Sequence, residues 1–194
     1  MISDSIPWKD ELLKIADRLE AKTVQQRWTE RSGFLVERDV MVSAYAIRKL
    51  IEAYKVSDSL RDKQVPVNQF DMTGAKPPDW YTRVEFWEFY DMESPRGGVL
   101  SLRELCNQII HSWMWEISAN EHTHLFDGFF VSSDRESRKR LFFVSAGTYI
   151  ERCREIGNED IYRKEWLFGD DGQFAMGEIL GRPYGPPADE PPNG

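Results

Sequence analysis

The sequence is short of several things, and each shortage closes off a class of protein. Two cysteines in 194 residues, Cys106 and Cys153, are too few for a disulfide scaffold. Both fall in helix-like patterns and are expected as reduced, idle thiols. No run approaches the roughly 18 uninterrupted apolar residues of a membrane helix, so no membrane is expected among the partners. Residues 1–10 lack a basic start followed by an apolar stretch; no signal peptide is read, and a cytoplasmic location is the expectation. Gly97-Gly98 is followed by no Lys-Ser/Thr pair and is not a phosphate loop. No cofactor is expected, and no internal repeat is visible. Basic residues are also in deficit: 25 Lys and Arg stand against 33 Asp and Glu, a net charge of −8. That balance excludes broad, sequence-independent nucleic-acid binding, which draws on a basic field.

What remains is a folded chain, because 13% aromatics and 41% hydrophobic residues are what disordered chains lack. The acidity is uneven. Residues 159–194 hold eight acids and three bases, so residues 1–158 are close to balanced. The organisation expected is one globular domain over 1–158, an acidic segment over 159–180, and a Pro/Gly-rich, disordered tail over 181–194.

Periodicity places an amphipathic helix at residues 8–22, with Leu12, Leu13, Ile15, Ala16 and Leu19 on one side. A stronger helix spans about 34–56, with Val36, Val40, Ala44, Ile47, Leu50, Ile51 and Tyr54 as its stripe. Residues 64–72 read as an extended edge segment, since Pro66 removes a ladder donor. Residues 80–90 are aromatic-rich, and the pattern does not decide between strand and helix. Ser101-Leu-Arg-Glu104 is a capping box that opens a helix expected over 102–116. Two strand-like runs, 122–131 and 140–144, joined by a polar turn, predict a β-hairpin. Residues 148–156 read as a last short helix. The fold class expected is therefore α+β but mainly helical: a helical core over about 8–117 carrying a C-terminal β-hairpin and short helix.

One constellation carries chemistry. On a helical wheel, Leu102, Leu105, Cys106, Ile109, Ile110 and Trp113 gather on a core side. Arg103, Glu104, Asn107 and His111 gather opposite. Met114 and Trp115 also fall on that polar side, which predicts that a hairpin, the aromatic segment or a second subunit covers it. The stretch Arg103-Glu-Leu-Cys-Asn-Gln-Ile-Ile-His111 resembles the signature of the HEPN superfamily, an Arg followed by a polar residue and, a few positions on, a His. Asn107 and His111 match its Asn-x-x-x-His part, whereas the place of its Arg is taken by Cys106 and the nearest Arg, Arg103, lies one turn earlier. The resemblance implies a helical bundle that pairs as a homodimer and either cleaves RNA without a metal or binds RNA or a nucleotide, of a defence or toxin–antitoxin type. His111 would transfer protons, Arg103 would stabilise the phosphate, and Asn107 would orient either group. The reading of a different class is a non-catalytic protein-interaction or structural module whose Arg/Asn/His face only supports an interface.

Three further features each have a plainer reading beside the sharper one. His122-Thr-His124 would set two imidazoles on one strand face, a spacing that suits Zn²⁺ or Cu²⁺, but no third ligand is marked and no metal is expected. Arg138, Lys139 and Arg140 cluster near the hairpin turn as a basic finger that could touch an RNA phosphate, with a solvated hairpin tip as the plainer reading. The aromatics of residues 80–90 suit a core or an interface with a protein partner.

Overall fold

The computed structural model describes residues 2–74, 76–168 and 172–184. The chain opens with α1 (Ile6–Thr23), which carries Pro7 in its first turn, where a missing N–H costs nothing. Leu12, Ile15, Ala16 and Leu19 form its buried stripe. In α2 (Glu30–Glu52) the Thr29 side chain caps the first turn by accepting from the Ser32 amide, and Val36, Val40, Ala44, Ile47 and Leu50 are fully buried. A single turn, α3 (Asp58–Arg61), leads into β1 (Gln64–Asp71). An aromatic flap with a 3-10 segment at Arg83–Glu88 follows, and then β2 (Arg96–Ser101). The remaining elements are α4 (Leu102–Ile110), β3 (Ser112–Ala119), β4 (Phe126–Ser133), β5 (Arg140–Ser145), α5 (Ala146–Gly157), β6 (Glu159–Phe168) and β7 (Phe174–Pro183).

Five of these strands form one antiparallel sheet in the order β2-β1-β5-β4-β3, and β6 pairs with β7 as a separate hairpin. Side-chain alternation divides the sheet residues between two cores. Val65, Val67, Phe129, Val131, Phe142 and Val144 pack on the helices α1, α2, α4 and α5. Phe70, Leu141 and Met114 belong to a second cluster with Phe86 and Tyr90 of the flap. The main core is pinned by a polar contact: Tyr149 of α5 is 1% exposed, with its hydroxyl 2.8 Å from Ser43 Oγ and 3.0 Å from the Val40 carbonyl. Cys106 and Cys153 are fully buried nearby, and burial pushes the Cys153 thiol up to about 12.

This architecture corrects the expectation of a mainly helical core with one C-terminal hairpin. The chain is α+β with a large antiparallel sheet, and the helical bundle that the family resemblance implies is not the fold found. The largest single error lies after residue 110. The capping box at Ser101 is present in both directions, and Leu102, Leu105, Cys106 and Ile109 are buried at helical spacing. The helix then stops at Ile110, because Trp113, Trp115 and Ile117 take the extended chain that aromatic and β-branched residues favour, and pair with β4. The other errors are smaller. β1 is not an edge strand: it lies between β2 and β5, and Pro66 is tolerated because it falls in the half of β1 that pairs with β2 alone, the pairing with β5 starting at Asn68. The acidic segment 159–180 supplies β6 and most of β7, and Gly181–Pro183 complete β7. Of the disordered tail expected over 181–194, residues 185–194 lie outside the described residues. Among the described residues, no helix is long and apolar enough to cross a membrane.

Candidate functional site

The sequence-predicted residues are not brought to one point. Arg103 and His111 stand at opposite ends of α4, and eight residues at 1.5 Å rise separate their Cα atoms by about 12 Å. Asn107 is committed elsewhere: its side-chain oxygen accepts from Nη1 of Arg48 on α2, whose Nε bonds Glu52 at 2.7 Å. Arg103 is exposed, and Glu104 is held by the Ser101 cap, whose hydrogen bonds keep its carboxyl below the usual range. His111 is exposed and is the C-terminal cap of α4. Met114 and Trp115, expected as neighbours on the polar wheel face, leave that face altogether and enter the sheet, so they do not cover it.

His111 does have a defined neighbourhood. Its carbonyl accepts from the Asp134 amide at 3.3 Å, which ties the end of α4 to the β4–β5 turn. Gln108, one turn earlier, reinforces the junction: its side-chain oxygen accepts from the Ser133 amide at 2.8 Å. Two residues beyond His111, Trp113 is the second residue of β3 and meets the flap. Its indole N–H donates to the Pro78 carbonyl at 3.3 Å, and its ring lies 6.0 Å from Trp80 at an interplanar angle of 55°. The flap is fastened from the other side by the Tyr90 hydroxyl, which donates to the Ser137 carbonyl at 2.7 Å, and by a Met72–Tyr90 bridge.

These attachments enclose a cleft of about 410 Å³ lined by Lys76, Pro77, Pro78, Asp79, Trp80, Trp113, Asp134, Ser137 and Arg138. Two prolines stiffen its lip. Asp79 is used internally: its carboxylate accepts from the Thr82 and Tyr81 amides, which holds it below the usual carboxylate range. The two cations on the rim are only loosely neutralised. Lys76 reaches Asp79 at 3.5 Å, and Arg138 reaches Asp134 at 4.0 Å with both side chains largely in water. Lys139 and Arg140 are drawn away to Glu136, at 3.7 and 3.5 Å, and Arg140 also bonds Gln69 at 3.0 Å. Of the basic finger read from the sequence, Arg138 is therefore the member that lines a cleft. Beyond it the flap shows Trp80 at 62%, Tyr81 at 87% and Trp87 at 54% exposure, an unusual cost for a monomeric surface.

The largest concavity lies elsewhere, about 630 Å³ between α1, α5 and β7. Its charged groups are consumed by one another: Arg154 pairs with Glu20 at 2.6 Å and Asp17 at 3.0 Å, and Glu155 pairs with buried Arg152 at 2.6 Å. Size alone does not make it the better site. The His122/His124 pair does not form a strand face. Asn120 Oδ1 accepts from the His122 and Thr123 amides to make a tight turn, and β4 starts only at Phe126. Among the described residues, no three His, Cys, Asp or Glu side chains converge to hold a metal ion. No family model, curated protein or solved structure matches the chain.

Reasoning from sequence named His111 and Arg138 but missed Trp113, Lys76 and the pairing of Trp80 with Trp113. The signal present was local: Lys76-Pro-Pro-Asp-Trp-Tyr sets two aromatics directly after a rigid turn.

Proposed function

We propose that the protein is a binding module for single-stranded RNA or a short nucleotide segment, and that the cleft between the aromatic flap and the β4–β5 turn is where bases stack. The observation that carries this reading is the Trp80–Trp113 pair, two indoles 6.0 Å apart on a cleft whose rim holds Lys76 and Arg138. Aromatic faces accept any base, and each stacked base contributes on the order of 1–3 kcal/mol. Two cations on the same cleft as the rings suit the phosphates that flank a stacked nucleotide. The net charge of −8 removes long-range steering, so binding is short-range and modest in affinity. Two phosphate contacts on a single strand correspond to a slope of about −1.4 in log affinity against log salt.

Binding without cleavage is the form proposed. Arg103 lies about 12 Å from His111 along α4, and the Asn107 side chain is taken by Arg48, so the three do not assemble around one phosphate within a single chain. The test is tryptophan fluorescence during titration with a ten-nucleotide RNA. Wild type is expected to quench saturably, and Trp80→Ala to bind roughly five- to 150-fold more weakly, the equivalent of about 1–3 kcal/mol. Absence of quenching, or equal affinity in Trp80→Ala, would overturn the reading. Gel analysis of the same mixtures is expected to show intact RNA; cleavage abolished by His111→Ala would establish the ribonuclease reading instead.

A further inference from the structure

A second cleft, of about 310 Å³, lies where the start of α1 meets the start of β6 and Lys55. Three lysines line it: Lys9, Lys55 and Lys164. Lys9 is 7% exposed, and its ammonium donates to the Glu159 carbonyl at 2.6 Å. That neutral carbonyl satisfies one N–H, and the charge is offset only through space by the carboxylates of Glu159 and Asp160. Among the described residues, none of the three forms an ion pair with a carboxylate. Glu159 and Asp160 line the same cleft: Glu159 Oε2 accepts from the neutral Ser57 amide at 3.0 Å, and Asp160 is held loosely by Arg182 at 3.5 Å. Asp10 stands exposed on the rim.

The lysines burden one another. Burial holds Lys9 below the ordinary ammonium range; Glu159 and Asp160 pull it back up, and Lys164 and Lys55 add smaller pushes downward. Burial lowers Lys164 in the same direction, with Lys55 adding to it. Gathering like charges beside a poorly hydrated ammonium raises the energy of the empty cleft, and an anion placed among them recovers that energy. Ser5 and Ile6, at the start of the 18-residue α1, also line the cleft, and the Ile6 amide there donates to the Asp4 carboxylate at 3.0 Å. Leu13, Ile161 and Tyr184 supply an apolar part of the wall, beside the polar Asn158.

We propose that this cleft is a binding site for a small phosphomonoester, with the phosphate held by Lys9, Lys55 and Lys164 and the organic part against Ile161 and Tyr184. Three ammonium groups match a dianion with three terminal oxygens better than a carboxylate with two. The volume exceeds that of phosphate alone, and the apolar wall gives the surplus a use.

The probe is phenyl phosphate, titrated calorimetrically into the full chain at fixed ionic strength. Wild type is expected to give a saturable isotherm with one site. Lys55→Gln/Lys164→Gln is expected to weaken binding at least tenfold, whereas Lys164→Arg, which keeps the charge, retains it. Without ligand, the double Gln variant is expected to melt no lower than wild type, because a repulsive contact has been removed. The proposal is overturned if wild type shows no saturable heat, if the double variant binds equally well, or if that variant is unfolded at a temperature where wild type is folded. Inorganic phosphate binding as tightly as phenyl phosphate would overturn the role given to Ile161 and Tyr184.

Discussion

Replacing Tyr149 by Phe removes one hydroxyl from the centre of the main core. That hydroxyl lies 2.8 Å from Ser43 Oγ and 3.0 Å from the Val40 carbonyl, in a side chain 1% exposed. Ser43 keeps its own acceptors, the Asp39 and Val40 carbonyls at 2.7 and 3.0 Å, so no buried donor is stranded. The loss is then that of neutral hydrogen bonds alone, about 1–1.5 kcal/mol, or roughly 3–5 °C in a chain of this size. Tyr149→Ala also deletes a ring in edge contact with Phe129 at a centroid distance of 5.4 Å, and costs about 3–5 kcal/mol. The same site has a pH signature. Burial holds the Tyr149 phenol well above its usual value, whereas an unfolded tyrosine ionises near pH 10. A raised folded-state value means that the stabilisation is complete below about pH 10 and is lost as pH climbs above it, by about 1.4 kcal/mol per unit. Burial raises Tyr90 in the same direction, so Tyr149→Phe is expected to lessen the alkaline slope without abolishing it. Urea unfolding at pH 7 and between pH 9.5 and 11 measures both effects. A Phe variant with the wild-type midpoint at pH 7 and the wild-type alkaline slope would refute this account of the core.

Other perturbations test other joints. A Cβ on Gly128 would sit 2.3 Å from the Val144 carbonyl oxygen and 2.7 Å from the Phe143 ring, so Gly128→Ala forces β4 and β5 apart and is expected to cost more than about 2 kcal/mol by urea unfolding. Ser101→Ala removes the hydroxyl that accepts from the Glu104 amide, leaving the residue-101 amide on the Glu104 carboxylate, and is expected to cost about 1 kcal/mol, with faster amide exchange in the first turn of α4. Gln108→Met keeps the volume but strips the Ser133 amide of its acceptor; it is expected to lower stability by about 1 kcal/mol and to weaken RNA binding severalfold by loosening the turn that carries Arg138.

Local signals in the sequence located most of the helices. The apolar stripe of α2 and the capping box of α4 are written in neighbouring residues, and both hold in the structure. What failed depends on partners distant in sequence. Nothing beside Ile110 announces a helix end; His111 is no glycine, and a wheel extends through Trp113 and Trp115 as readily as a strand does. Only the pairing of β3 with β4 decides, and it places Met114 under the flap. The position of β1 within the sheet is likewise a property of β5, some seventy residues away. In β6 the alternation is broken by irregular register between Ile161 and Arg163 and between Lys164 and Trp166, which hides the strand behind its charges. The candidate site follows the same rule. His111 and Arg138 carry recognisable chemistry one residue at a time, whereas the meeting of Trp80 with Trp113 exists only after the flap has closed on the sheet.

Photo-crosslinking of a ten-nucleotide RNA to the full chain, followed by peptide mapping, tests the proposed function most directly. Attachment within residues 76–82, at Trp113 or within residues 134–138 is the predicted result, with the yield falling in Trp80→Ala. Attachment confined to other parts of the chain, or none at concentrations where fluorescence is quenched, would contradict it.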